Sequence, residues 1–257
     1  MTFIPPYDDE LVMAGQGTIA NEILRQWRDV EYVFVAVGGG GLIAGVAAYL
    51  GDVAPHVKII PVEYEESACL KAAFEANERV ILPQVGLFAD GTAVAQIGEK
   101  PFEVLQLQKS DASGPIVERD VVLVNTDEIC AAIKDTYDEC RSIVEPSGAM
   151  ALAGIKKYVE QHNLHGKNMV SIVCGANMNF DRLRYIAERT ELGERREAIF
   201  AVTIPEEKGA FLNFCRALQG RNITEFNYRA SGASAAQVFV GISLKGGEKE
   251  RHDIYDA

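Results

Sequence analysis

Tyr32-Val33-Phe34-Val35-Ala36-Val37-Gly38-Gly39-Gly40-Gly41-Leu42 is the stretch on which the reading of this chain turns. Its first six residues form a short, unbroken apolar run rich in β-branched and aromatic side chains, the pattern of a strand covered on both faces. Glycine loses more backbone freedom on folding than any other residue, so four in succession imply that something requires bare backbone there. The usual requirement is close approach of a phosphate, held by successive N–H groups and by the positive end of the helix that follows. A tight turn is the plainer alternative, although a turn rarely needs four glycines.

Outward from this joint, apolar runs at 57–62, 121–124 and 169–173 also read as buried strands. Between and around them lie helix-period segments at 8–29, 41–50, 67–77, 126–140, 148–162 and 179–190. Such alternation predicts an α/β layered domain on a largely parallel sheet. Residues 106–119 collect Ser, Asp, Gly and Pro and read as a surface loop. A polar hinge at 192–197 changes the pattern. A strand (198–204), a helix (208–218) and two strands (223–228 and 237–244) follow, the opening of a ferredoxin-like split unit. Its closing helix and strand are expected to be cut off at Ala257. The pattern therefore places a domain boundary near residue 195, dividing the chain into 1–194 and a segment 195–257 that reads as cut short.

Composition removes several function classes. The chain has 257 residues, and 25 basic against 37 acidic side chains leave a net charge of −12. An acidic chain without a basic run is unsuited to nucleic acid. No apolar stretch approaches the roughly 20 residues of a membrane span. Cys69, Cys130, Cys140, Cys174 and Cys215 are odd in number and lack metal-type spacing, which favours a reducing compartment.

Two further joints carry polar groups where a parallel sheet presents them to ligands. The run 169–173 leads into Cys174-Gly175-Ala176-Asn177-Met178-Asn179, and Cys174 is either a ligand-facing thiol or an inert buried one. Val144-Glu145-Pro146-Ser147-Gly148-Ala149 reads as a helix start with Ser147 as its N-cap. A rival stays open. Gly39, Gly41 and Ala44 satisfy a loose dinucleotide fingerprint, with Glu63 about twenty residues beyond as a ribose-binding acid, so a NAD site is also consistent with the loop.

Taken together, these segments resemble the biosynthetic threonine dehydratases, pyridoxal-phosphate enzymes of the tryptophan-synthase β-like fold (fold type II). The resemblance rests on Ala14-Gly15-Gln16-Gly17-Thr18, Val37 to Leu42, Glu66-Ser67-Ala68-Cys69-Leu70-Lys71, Val85 to Gly91, Glu145 to Ala149 and Cys174 to Asn177. Beyond the hinge, Val202 to Gly209 and Thr224 to Arg229 are similar to the opening of that family's ACT-like regulatory domain. The resemblance implies pyridoxal 5'-phosphate as cofactor, with its phosphate on the amides of Gly38, Gly39, Gly40, Gly41 and Leu42. It places Cys174 at the pyridine nitrogen, where threonine dehydratases more often carry Ser, and Glu145 near the ring. It implies conversion of L-threonine to 2-oxobutanoate and ammonia, the first step of isoleucine biosynthesis. Isoleucine and valine would be the effectors, with Phe211 and Lys208 as candidate contacts. The family assembles as homotetramers and is cytoplasmic, or plastidic where a leader precedes the chain. Phe88-Ala89-Asp90-Gly91 falls where some relatives bind a cation, although no metal is assigned here.

One departure matters most. The family's Schiff-base lysine stands in an S-x-K-x-R-G-type motif followed by an Asn-bearing loop, and neither motif occurs among these residues, whose eleven lysines lie in other contexts. The expectation is a fragment that alone neither holds the cofactor covalently nor turns over threonine, so no catalytic residue is assigned. A catabolic serine/threonine dehydratase and a non-catalytic, amino-acid-binding regulatory chain are the alternatives.

Overall fold

β1 (Tyr32–Ala36) lies inside a four-stranded parallel sheet of order β3-β2-β1-β4, where β2 is Lys58–Tyr64, β3 Val122–Val124 and β4 Met169–Ser171. The computed structural model describes residues 3–107, 116–193, 197–230 and 235–255. They divide into two compact units, Met1–Leu183 and Arg184–Ala257. In the first, Tyr32 pairs with Lys58 on one side and with Met169 on the other. Val33, Phe34 and Val35 are fully buried, as an apolar run covered on both faces requires.

Among the described residues six helices accompany these strands, α1 (Glu10–Gln26), α2 (Gly41–Val53), α3 (Cys69–Ala76), α4 (Glu99–Leu107), α5 (Thr126–Cys140) and α6 (Pro146–His162), and α7 (Arg182–Gly193) starts in this unit and runs on in the second. Their ends follow local chemistry. The Asp9 carboxylate accepts from the amides of Leu11 and Val12 at the start of α1. Asn125 and Glu128 form a reciprocal capping box on α5. Asn77 and Asn163 close α3 and α6 in the left-handed conformation that asparagine tolerates best after glycine.

The core joins Val33 and Val35 to Ile43, Val46, Ala47 and Leu50 of α2 and to Leu70 and Ala73 of α3. α1 and α2 meet backbone to backbone: a Cβ on Gly45 would stand 2.1 Å from the Met13 carbonyl oxygen, and one on Gly17 3.0 Å from that of Gly45.

The expected strands and helices of this unit are present, and α4 is an addition that the sequence pattern did not suggest. The expected surface loop at 106–119 is altered at both ends. Gln106 and Leu107 belong to α4, while Ile116 and Val117 are buried beside Ile59, whose amide donates to the Ile116 carbonyl. Residues 108–115 lie outside the described residues.

The second unit is an antiparallel sheet, β5 (Glu197–Pro205), β7 (Ala235–Ser243) and β6 (Ile223–Ala230) in that order, with α8 (Ala210–Ala217) and α9 (Gly247–Tyr255). Ala236, Val238, Val240 and Ile242 of the central strand alternate into its core. The closing helix, expected to be missing, is present as α9. Glu250 accepts from the amides of Lys245 and Gly246 and from the Arg221 guanidinium, and these three donors hold its carboxyl down to about 2. The charged run from Glu248 to Arg251 is thus part of a helix with a specific anchor.

Two glycines of α1 and α2 give opposite expectations. Gly45→Ala should lower unfolding free energy by about 2 kcal/mol or more, because the new methyl meets a backbone carbonyl that cannot turn aside. Gly15 has open space around its missing Cβ, so Gly15→Ala should raise stability by about 0.5–1 kcal/mol. Urea unfolding of the two variants checks both signs.

Candidate functional site

Strand order reverses direction beside β1: the chain passes from β1 to β2 and β3 on one side, and β4 then enters on the other. The loops leaving β1 and β4 therefore share the crevice at the carboxyl ends of the strands, the position at which open α/β sheets bind ligands. Gly38, Gly39, Gly40 and Gly41 line one side of it, all buried. Gly40 occupies the N-cap of α2 at φ +88°, and no side chain caps the helix. The first amides of α2 thus lack intrahelical acceptors and form an uncapped, buried, positively polarised end. Leu42 sends its side chain into the core and can contribute only its backbone N–H.

The glycines also serve packing. A Cβ on Gly38 would lie 2.8 Å from the Thr92 Cα, and one on Gly39 2.2 Å from the Tyr7 ring. One on Gly41 would lie 2.9 Å from the Tyr7 backbone. Tyr7 is held there by its neighbour Asp8, whose carboxylate accepts from the amides of Glu99 and Lys100 at the head of α4. Gly98 in turn donates to the Gly39 carbonyl at 3.0 Å.

Across the crevice, Thr92 leads to Cys174. The Thr92 hydroxyl bonds the Ala89 carbonyl at 3.0 Å and approaches the Ser147 hydroxyl at 3.3 Å, and the Cys174 thiol donates to the Ser147 carbonyl at 3.5 Å. Ser147 is not the N-cap of its helix. Glu145 holds that position and Pro146 the first turn, where proline's missing N–H costs nothing, so the Ser147 hydroxyl is free to face Thr92. Glu145 clasps the Cys174 loop: its amide donates to the Gly175 carbonyl, and its carboxylate accepts from the Asn177 amide at 3.2 Å. Cys174 is open to solvent on one side, yet packing around the sulfur and then the Glu145 charge push its thiol up. At neutral pH it is a protonated, uncharged donor.

Glu63 behaves unlike a ribose-binding acid. It is fully buried, and its carboxylate accepts from the amides of Leu70 at 2.7 Å and Lys71 at 2.9 Å, capping α3. Burial outweighs these bonds and raises its carboxyl to about 7. Beside it the Cys69 thiol, pushed up to about 12 by burial and the Glu63 charge, lies 3.4 Å from the Gly38 carbonyl. Glu63 thus supports the glycine loop from below, and the NAD reading loses its acid.

The two effector candidates do not share a cleft. Lys208 is exposed and lines a cleft of about 350 Å³ with Ile204, Glu207 and Phe214. The Phe211 ring instead packs against Phe226 at 5.2 Å and Tyr228 at 6.4 Å. Asp90 faces the Arg182 guanidinium, 3.6 Å away. Tyr7 and Thr92 escape sequence reasoning, since neither belongs to a periodic pattern. Only Thr92's place directly after Asp90-Gly91 could have drawn notice.

A parallel sheet whose glycine loop and thiol loop leave the strands on either side of its switch point, beside an uncapped helix end, has the layout of a ligand-binding α/β unit. Residues 1–175 match the family model of pyridoxal-phosphate dependent enzymes, and residues 188–255 match the C-terminal regulatory domain of threonine dehydratase. The chain belongs to the pyridoxal-phosphate-dependent enzyme family. It is 52% identical over 253 residues to the biosynthetic L-threonine dehydratase of Escherichia coli, covering 98% of this chain and 48% of that protein. It is 49% identical to the mitochondrial threonine dehydratase of Saccharomyces cerevisiae, covering 97% and 44%. Among solved structures, the processed form of threonine deaminase isoform 2 from Solanum lycopersicum superposes with a TM-score of 0.67 at 46% identity, over 74% of this chain and 52% of that one. A pyridoxal 5'-phosphate-dependent aspartate racemase superposes at 0.61 with 27% identity, over 72% and 55%. The chain spans about half the length of the curated relatives it matches.

Glu63 yields a pH signature. Its folded value lies above the ordinary 4.5, so the folded protein keeps a proton that the unfolded chain has already released. Stability from this group is therefore full below about 4.5, falls as pH rises, and levels off above about 7. The fall should be on the order of 3 kcal/mol, and Glu63→Gln should flatten that part of the stability curve measured by denaturant unfolding across pH.

Proposed function

We propose that this chain carries the cofactor cradle, and part of the regulatory unit, of a threonine ammonia-lyase that converts L-threonine to 2-oxobutanoate and ammonia. The observation that carries the reading is the uncapped α2 terminus on a buried glycine loop, facing a neutral Cys174 across the β1–β4 switch point. An anion fits there because the first amides of α2 have no side-chain cap. The amides of Gly38 to Leu42 hold the phosphate of pyridoxal 5'-phosphate, and Cys174 serves its ring nitrogen. When bound, that cofactor withdraws electrons from the amino acid's α-carbon, so that the α-proton becomes acidic and the β-hydroxyl can leave. Cys174 offers a protonated thiol in place of a counter-charge. Glu145 holds the Cys174 loop in place, and Thr92 and Ser147 brace the glycine loop against it.

Within the first unit, Lys58, Lys71, Lys100, Lys134, Lys156, Lys157 and Lys167 each pair with a carboxylate. Lys109 lies outside the described residues. This supports a cradle whose Schiff-base lysine is not among these residues, so the chain by itself holds the cofactor without a covalent bond and leaves threonine unchanged. The match of residues 188–255 favours this reading over a catabolic dehydratase or a racemase. Isoleucine and valine are the proposed effectors of that unit, a homotetramer the assembly and the cytoplasm the location. Among the described residues no helix is long and apolar enough to cross a membrane.

Pyridoxine 5'-phosphate, which has the ring and phosphate but no aldehyde to react with surface lysines, is the probe. At about a hundredfold excess over its Kd it should stabilise the chain by roughly 3 kcal/mol, whereas pyridoxine without phosphate and NAD should not. Absence of any stabilisation, or an equal effect of NAD, would sink the reading.

A further inference from the structure

The segment that braces Gly38 is itself gripped from outside by one side chain. Arg182 opens α7, and its guanidinium reaches back to residues 87–90. Nη2 donates to the Leu87 carbonyl and Nη1 to the Phe88 carbonyl, each at 3.4 Å, with the Asp90 carboxylate 3.6 Å from Nη1. The guanidinium carbon also lies 5.9 Å from the centroid of the Phe88 ring. Two carbonyl oxygens and a carboxylate converging on one point form a seat for a cation, and the fork of an arginine fills it with directed donors.

The grip bears on the cradle through a single tight turn. Thr92 donates its amide to the Ala89 carbonyl at 2.9 Å and Ala93 donates to Asp90 at 3.2 Å, so residues 89–93 are one hydrogen-bonded unit. Ala89 is fully buried, and the far end of the turn sets Thr92 against Gly38 and its hydroxyl against Ser147. Leu87 is exposed, whereas the Phe88 ring packs on Tyr64 with centroids 6.3 Å apart, so of the two residues whose carbonyls Arg182 takes only Phe88 has apolar packing of its own.

We infer that Arg182 is a positioning residue for the cofactor cradle, acting as a tethered cation that draws Leu87, Phe88 and Asp90 together and thereby holds Thr92 under Gly38. An ordinary surface ion pair would contribute little, and its loss would go unnoticed in the crevice. The inference rests on the proposed cofactor reading for its consequence and on the turn alone for its mechanism, which separates the two in a test.

Arg182→Ala should speed amide exchange at Thr92 and Ala93 about tenfold and weaken pyridoxine 5'-phosphate binding by a similar factor. Exchange in the β1–β2 core should stay unchanged. Because the lost group leaves its seat behind, dilute, non-denaturing guanidinium should restore both readouts. Tetramethylammonium, which has the charge without N–H donors, should not. Arg182→Lys, keeping the charge without the fork, should fall between the two. If Arg182→Ala does not fold, Asp90→Asn takes its place and should loosen the same two amides. Wild-type exchange at Thr92 and Ala93 in these variants, or rescue by both cations alike, would overturn the inference. Failure of the wild-type chain to bind pyridoxine 5'-phosphate would instead overturn the functional reading, and the exchange measurement would still decide whether Arg182 holds the turn.

Discussion

Close approach to bare backbone at Gly38–Gly41 is the constraint around which the first unit is arranged. Thr92 on one side and Tyr7 on the other come nearer to these residues than any side chain would allow, and no side chain caps the head of α2. Gly98 and Cys69 bond the loop directly, at the Gly39 and Gly38 carbonyls, while Asp8 and Glu63 hold the helix heads of α4 and α3 behind them. Rigidity is gained without a single Cβ in the loop, which is what a preorganised phosphate seat requires.

The electrostatics around the loop are kept quiet. Glu63 caps α3 beneath the glycines and is half-protonated near neutrality, and Cys69 beside it stays a thiol. Cys174 stays a thiol on the opposite wall. Glu145 keeps its carboxylate on the Asn177 amide. The positive end of α2 thus faces thiols that stay protonated rather than thiolates.

Most of the architecture was legible in residue order because it depends on local pattern. The apolar run before the glycines, the helix periods and the change of register beyond residue 192 each report on their own segment. α4 does not stand out in the residue pattern, and its Pro101 sits comfortably in the first helical turn. The residue pattern gives no sign of α9, because its anchor, Arg221, lies far away in sequence. The same division holds in the site. Gly38 to Gly41 and Cys174 stand at strand ends and announce themselves. Tyr7 and Thr92 do not, because what makes them matter is a backbone approached in three dimensions, and Ser147 was misassigned because a helix-start motif does not say which residue faces the crevice.

The placement of β4 has a consequence for how the protein comes into being. β1 is completed on one side by β2, its near neighbour in sequence, but on the other only by β4, whose Met169 pairs with Tyr32. Pairings between such distant segments carry a large loop-closure cost and form late. The crevice lies at that last seam. A chain emerging from the ribosome can therefore assemble α1, β1, α2 and β2 while its ligand site does not yet exist, so any help a bound cofactor gives to folding arrives only at the final step.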